Sequence, residues 1–128
     1  MGLRMASLDM DSVCLKIAMK EELIGNPVRG ILHGGVISSV LDATGGMTAA
    51  MGVLKRLAGG PFEEIGKRLL NVGTIDLRID FLRPGKGQHF VATGSVMRTG
   101  QKVAVVRMQL HNDQDLLIAV GTGTYTVG

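Results

Sequence analysis

Asp42 is the one charged side chain inside the run 36–51, and its neighbours in space are nearly bare of side chain. On a 3.6-residue wheel centred on Asp42, Gly35, Ser38, Ser39, Gly45, Gly46 and Ala49 fall within about a third of the circumference. Val36, Ile37, Val40, Leu41, Thr44, Met47 and Met51 take the rest. A solvated helix face would carry Lys, Glu and Gln instead. A carboxylate set in a stripe of small residues can act on a group that comes close to the backbone. It would serve as a nucleophile or as a general base. The bland alternative is a helix aspartate bonded to a local hydroxyl such as Ser38.

His33-Gly34-Gly35 opens the same run. The first N–H groups of a helix lack partners inside it and lie at the positive end of its dipole. Gly34 and Gly35 could therefore stabilise a developing negative oxygen. Their alternative role is steric permissiveness at a helix start, and both can hold together.

These residues need a scaffold, and the rest of the chain describes one. Residues 1–10 are mixed and are expected to be poorly ordered or partly helical. Residues 13–19 have strand character, with Lys16 interrupting an apolar run, and Gly25-Asn26-Pro27 is turn chemistry. The helical signal weakens over 52–60, and 62–70 reads as a short amphipathic helix with Phe62, Ile65 and Leu69 on one side. From Asn71 the period becomes two. Ile75, Leu77, Ile79 and Phe81 alternate with Thr74, Asp76, Arg78 and Asp80, a half-buried strand. Residues 83–87 form a turn. Three more strands follow at 89–98, 102–111 and 116–127, joined by turns at 99–101 and 112–114. Gly121 and Gly123 in the last strand predict close approach of another backbone. The pattern is α+β, with one long helix wrapped by a curved antiparallel sheet. The small face of that helix needs a further cover, for which a second subunit is expected.

At 128 residues the chain is read as a single domain spanning 1–128. A net charge of +3 suits an anionic small ligand, and an aromatic content of 3% does not suit a nucleic-acid surface. The eight Met residues are expected to share in core packing. Cys14 alone forms no intrachain disulfide or cysteine-based zinc site and is expected to be a small buried hydrophobe. No signal-like start or apolar run of membrane-spanning length is read, so no membrane association is expected and the cytoplasm is the expected compartment.

The spacing Asn26-x6-His33-Gly34-Gly35-x6-Asp42, followed by a strand meander, resembles the hotdog-fold acyl-CoA thioesterases of the PaaI type. The stretch 73–87, with 102–106 and 124–128, is similar to their bacterial YigI-like subgroup. The resemblance covers about residues 13–128. It implies a hotdog fold, a homodimer that often doubles to a homotetramer, and metal-free, cofactor-free hydrolysis of medium- to long-chain acyl-CoA. The link over 55–70 is longer than in many PaaI-type members and leaves the acyl pocket open to reshaping. The short N-terminus is expected to lack a helix found in some relatives.

Through this resemblance Asp42 becomes the acting carboxylate, and Gly34 and Gly35 become donors to the thioester oxygen. Asn26 would position the attacking water or the thioester, or else serve only as the turn residue before Pro27. His33 would donate to the thioester or make a structural hydrogen bond. Thr74 would orient the carboxylate or stand as a surface strand threonine. Arg83, Lys86, Arg98 and Lys102 would meet the phosphates of CoA as a group or remain solvated charges. His89 and His111 read as structural, and no metal is expected. Two other functions stay in view: a hotdog dehydratase or hydratase, which needs a His–acid pair not seen in the sequence, and a non-catalytic acyl-CoA binder. A plain apolar pocket gains nothing from a buried carboxylate, so Asp42 speaks against the binder.

Overall fold

The computed structural model describes residues 1–8 and 12–128. Strand β1 (Arg4–Leu8) pairs antiparallel with β2 (Ser12–Ala18). Residues 4–8 are therefore strand, not helix or loose chain, because β2 offers them a backbone ladder. Residues 9 and 10 of the expected loose segment lie outside the described residues. In β2, Val13, Leu15 and Ile17 point inward and are buried. Lys16 faces out by simple alternation and interrupts nothing. Cys14 shares that outer face and is half-buried, a correction to its expected core position.

A one-turn 3-10 helix (Glu21–Leu23) leads into a small hairpin of β3 (Ile24–Asn26) and β4 (Ile31–Leu32). Helix α1 then runs Gly34–Leu57, six residues beyond the expected end. Gly52 does not stop it: a Cβ there would crowd Thr99 and Val96, so the glycine serves contact with the sheet. At its full length α1 is long and apolar enough to cross a bilayer by length and composition, contrary to the sequence reading. Half of that span is buried within the protein, and the helix lies across the sheet as its core.

Helix α2 (Phe62–Leu70) forms where predicted, although none of its residues is fully buried. Ile65 and Leu69 are half-buried, but Phe62 is 94% exposed. Four strands complete the fold: β5 (Gly73–Phe81), β6 (His89–Thr99), β7 (Val103–Asn112) and β8 (Leu117–Thr126). The six long strands form one antiparallel sheet in the order β1-β2-β6-β7-β8-β5. The expected meander is thus broken once. β5 does not pair with β6; it lies at the far edge, beside β8. Its continuation stays on β8, where Leu82 and Arg83 donate to the Ile118 carbonyl, and then crosses to β4, where Leu32 donates to Gly85. Such a path cannot close a tight hairpin.

The core lies between α1 and the sheet and includes Val40, Leu41, Phe90, Val106, Leu110 and Ile118. Of the described methionines only Met108 is fully buried there, so methionine carries less of the packing than its abundance suggests. Thr44 and Thr48 are also buried, returning their hydroxyls to the Val40 and Thr44 carbonyls at 2.7 Å each. Gly94 of β6 makes room for both.

Candidate active site

The small-residue stripe of α1 divides into two faces. Gly45 and Ala49 are buried, and Gly45 faces β8: a Cβ there would overlap the Tyr125 hydroxyl. That part is covered by the chain's own sheet rather than by a second subunit. The open face instead follows Gly35, Ser39, Ala43, Gly46 and Ala50, which stay exposed or half-buried. Asp42 sits half-buried at the border between the two.

Asp42 is held from the sheet. The Thr74 hydroxyl donates to Oδ1 at 2.8 Å, and the Tyr125 hydroxyl lies 3.2 Å from the same oxygen and 3.2 Å from the Asp42 carbonyl. Ser38 is not its partner, since that hydroxyl donates to the Gly34 carbonyl at 3.1 Å. Among the described residues Oδ2 has no protein donor. Thr74 and Tyr125 stand opposite each other in the β5–β8 register. Thr74 reaches inward because that register shifts between Thr74 and Asp76, leaving Ile75 as an extra, bulged residue. Without the shift Thr74 would share the outer face with Asp76, Arg78 and Asp80.

The start of α1 makes a second cluster. His33 caps the helix, its Nδ1 accepting the Gly35 N–H at 2.8 Å, and its own N–H bonds the Leu23 carbonyl. Gly25 allows that approach, for a Cβ would lie 2.7 Å from the His33 Cα. His33 thus makes a structural hydrogen bond and takes one of the two expected oxyanion donors. Gly34 N–H has no partner among the described residues, and it borders a pocket of about 340 Å³ with Leu32, Ile37, Phe81 and Pro84. Asn26 holds the turn through its side chain, whose Oδ1 accepts from Val28 and Arg29 N–H at 3.2 and 3.3 Å.

The four expected cations do not form one group. Arg83 and Lys86 line a cavity of about 590 Å³ together with Arg29, Gln88 and Asp113. It shares Arg83 and Pro84 with the pocket at Gly34. Arg98 and Lys102 sit by the opposite end of β6, a strand about 30 Å long. No group of three His, Cys, Asp or Glu side chains that could hold a metal occurs among the described residues.

Sequence reasoning missed two residues. Arg29 lies in a loop with no periodicity to mark it. Tyr125 had a signal, being the only tyrosine and following Gly121 and Gly123 at alternate positions on its own face. Gly121 does meet another backbone, the Arg78 carbonyl of β5, but Gly123 makes space for the Tyr125 ring.

A long helix wrapped by an antiparallel sheet, with a carboxylate on the helix and a free N–H at its start, is the arrangement that the resemblance to hotdog-fold thioesterases implies. The chain belongs to the thioesterase superfamily, which matches residues 29–119. It is 42% identical over 128 residues to the medium/long-chain acyl-CoA thioesterase YigI of Escherichia coli K12, covering 100% of this chain and 83% of that protein. The Salmonella typhimurium protein of the same name is 49% identical over 106 residues, 83% of this chain and 68% of its own length. A crystal structure of a thioesterase-superfamily protein from Shewanella oneidensis is 53% identical and superposes with a TM-score of 0.96, covering 99% of this chain and 83% of that one. The E. coli PaaI protein, 21% identical with a TM-score of 0.75 over 98% of this chain and 82% of its own, shares the fold.

Proposed function

We propose that this chain hydrolyses medium- to long-chain acyl-CoA thioesters in the cytoplasm, with Asp42 as the acting carboxylate. The observation that carries this reading is the Asp42 carboxylate, held through Oδ1 with Oδ2 open, in a chain whose YigI relatives are named for that activity. Either Oδ2 attacks the thioester carbonyl and expels CoA thiolate, leaving a mixed anhydride for water to open. Or Oδ2 takes a proton from water as the water oxygen attacks, and that proton then goes to the thiolate. Both routes consume one water and yield free acid and CoA. In both, negative charge grows on the carbonyl oxygen, and the free Gly34 N–H suits it.

One chain does not bring these groups together. Gly34 and Asp42 lie eight residues apart on α1, about 12 Å along its axis, and the Asp side chain is too short to close that gap. The active unit is therefore a homodimer, with Gly34 and Asn26 from one subunit and Asp42 and Thr74 from its partner, and pairs of such dimers form the homotetramer. Two surfaces support it: the small open face of α1, and edge strand β5, where Ile75 and Phe81 are 54% and 55% exposed. Arg29, Arg83 and Lys86 would meet the phosphates of CoA, and the adjoining pocket would lead the thioester towards Gly34.

A thiol-release assay over a panel of acyl-CoAs tests the reading. Asp42→Ala should cut turnover about a hundredfold or more while circular dichroism stays unchanged. Added chelator should leave the wild-type rate intact, and a tenfold loss restored by zinc would overturn the metal-free route. A folded Asp42→Ala protein with normal turnover would remove Asp42 from the chemistry.

A further inference from the structure

Tyr125 lies in a slot cut by glycines from two elements. On α1, a Cβ at Gly45 would overlap the phenol oxygen; on β8, a Cβ at Gly123 would come within 2.5 Å of the ring. The ring is 1% exposed, and its hydroxyl is delivered to the point where Asp42 leaves the helix. Simple packing would be met by a phenylalanine there. A buried hydroxyl needs a partner, and both acceptors within its reach belong to Asp42: the main-chain carbonyl and carboxylate Oδ1, each at 3.2 Å.

We infer that Tyr125 is a positioning residue: with Thr74 it pins Asp42 Oδ1, so that Oδ2 alone is presented to the thioester or the water. An aspartate carboxylate otherwise turns broadly about its last bond, and a reacting oxygen must be held within a fraction of an ångström. Two donors from facing residues of adjacent strands fix one oxygen and leave the other bare. Burial first, then the Asp42 charge and their hydrogen bond, push ionisation of the phenol above its usual range, so it remains a donor. The inference rests on Asp42 being the acting carboxylate.

Tyr125→Phe keeps the ring in its slot and removes only the hydroxyl. It should lower kcat about tenfold, the scale of one lost hydrogen bond to a charged group, and leave KM within about twofold. In the Asp42→Ala background the same change should cost nothing further, because Tyr125 acts only through that carboxylate. A full kcat in Tyr125→Phe, or an equal loss in both backgrounds, would overturn the inference. If Asp42→Ala itself turns over normally, the fault lies with the proposed role of Asp42; if Asp42→Ala is dead and Tyr125→Phe is normal, it lies with Tyr125 alone. A second measurement does not depend on how that variant folds. Tyr125 is the only tyrosine, so growth on 3-fluorotyrosine labels this site alone. Its fluorine resonance should move on Asp42→Asn, and an unmoved resonance would sink the contact.

Discussion

Thr74 meets Asp42 Oδ1 at 2.8 Å across 32 positions of sequence, and one extra residue in β5 makes the meeting possible. Ile75 bulges out of the ladder, which turns Thr74 to the face occupied by Leu77 and Ile79. Thr74→Val keeps the shape and removes the donor. Turnover should fall several-fold to tenfold, as for other single hydrogen bonds to a charged group, and Thr74→Ser should restore most of it. A valine variant with wild-type kcat in the thiol-release assay would take Thr74 out of the site.

That bulge also marks the limit of what strand periodicity can tell. Leu77 and Ile79 were legible as inward residues because alternation is local, but Ile75 and Phe81, read onto the same buried face, are exposed, Ile75 because it sits in the bulge. Thr74 read as a surface residue by the same rule, since a register shift depends on the partner strand. The long helix up to its last six residues and the strands β2 and β5–β8 were likewise legible, whereas β1 and the β3–β4 hairpin were not. The position of β5 beside β8 was not, because sheet order is set by contacts distant in sequence. His33 shows the same limit at one site: its type left a donor to the thioester and a structural hydrogen bond both open, and the fold supplies the structural bond, from the Gly35 N–H to Nδ1.

The cations separate by position. Arg29, Arg83 and Lys86 share one cavity, while Arg98 and Lys102 lie near the other end of β6. Arg29→Gln and Lys86→Gln should each raise KM for acyl-CoA several-fold with little change in kcat, an effect that weakens as salt rises. Arg98→Gln and Lys102→Gln should leave KM within about twofold. Equal effects at both ends, read from initial rates at two salt concentrations, would reject the cavity as the phosphate site.

Tyr125 gives stability a signature at alkaline pH. A free tyrosine ionises near pH 10, whereas the folded chain holds this phenol protonated above that range. Below about pH 10 both states carry the proton and the contribution is fully present. Above it the unfolded chain loses a proton that the folded chain keeps, so stability falls as pH rises. Wild type should therefore lose stability faster than Tyr125→Phe past that point, by up to roughly 1.4 kcal/mol per pH unit. Urea midpoints between pH 9 and pH 11 measure the difference, and parallel curves would contradict it.

The shared site makes the sharpest demand, since it ties activity to a pairing of two chains. Asn26→Ala damages the side of the site next to Gly34, and Asp42→Ala the side next to Thr74. Each homodimer should be inactive, because both of its sites carry the same defect. In a hybrid dimer one site collects both defects and the other collects neither. Random pairing makes about half of the dimers hybrid, with half their sites intact, so co-expression should restore roughly a quarter of wild-type activity. Asn26 spends its side-chain oxygen on Val28 and Arg29 N–H, so the asparagine variant must first be shown to fold by circular dichroism. Differently tagged subunits, purified over two affinity columns, isolate the hybrids. If those hybrids form and stay dead, each chain must complete its own site despite the 12 Å along α1 (about eight residues of rise), and the composite arrangement is wrong.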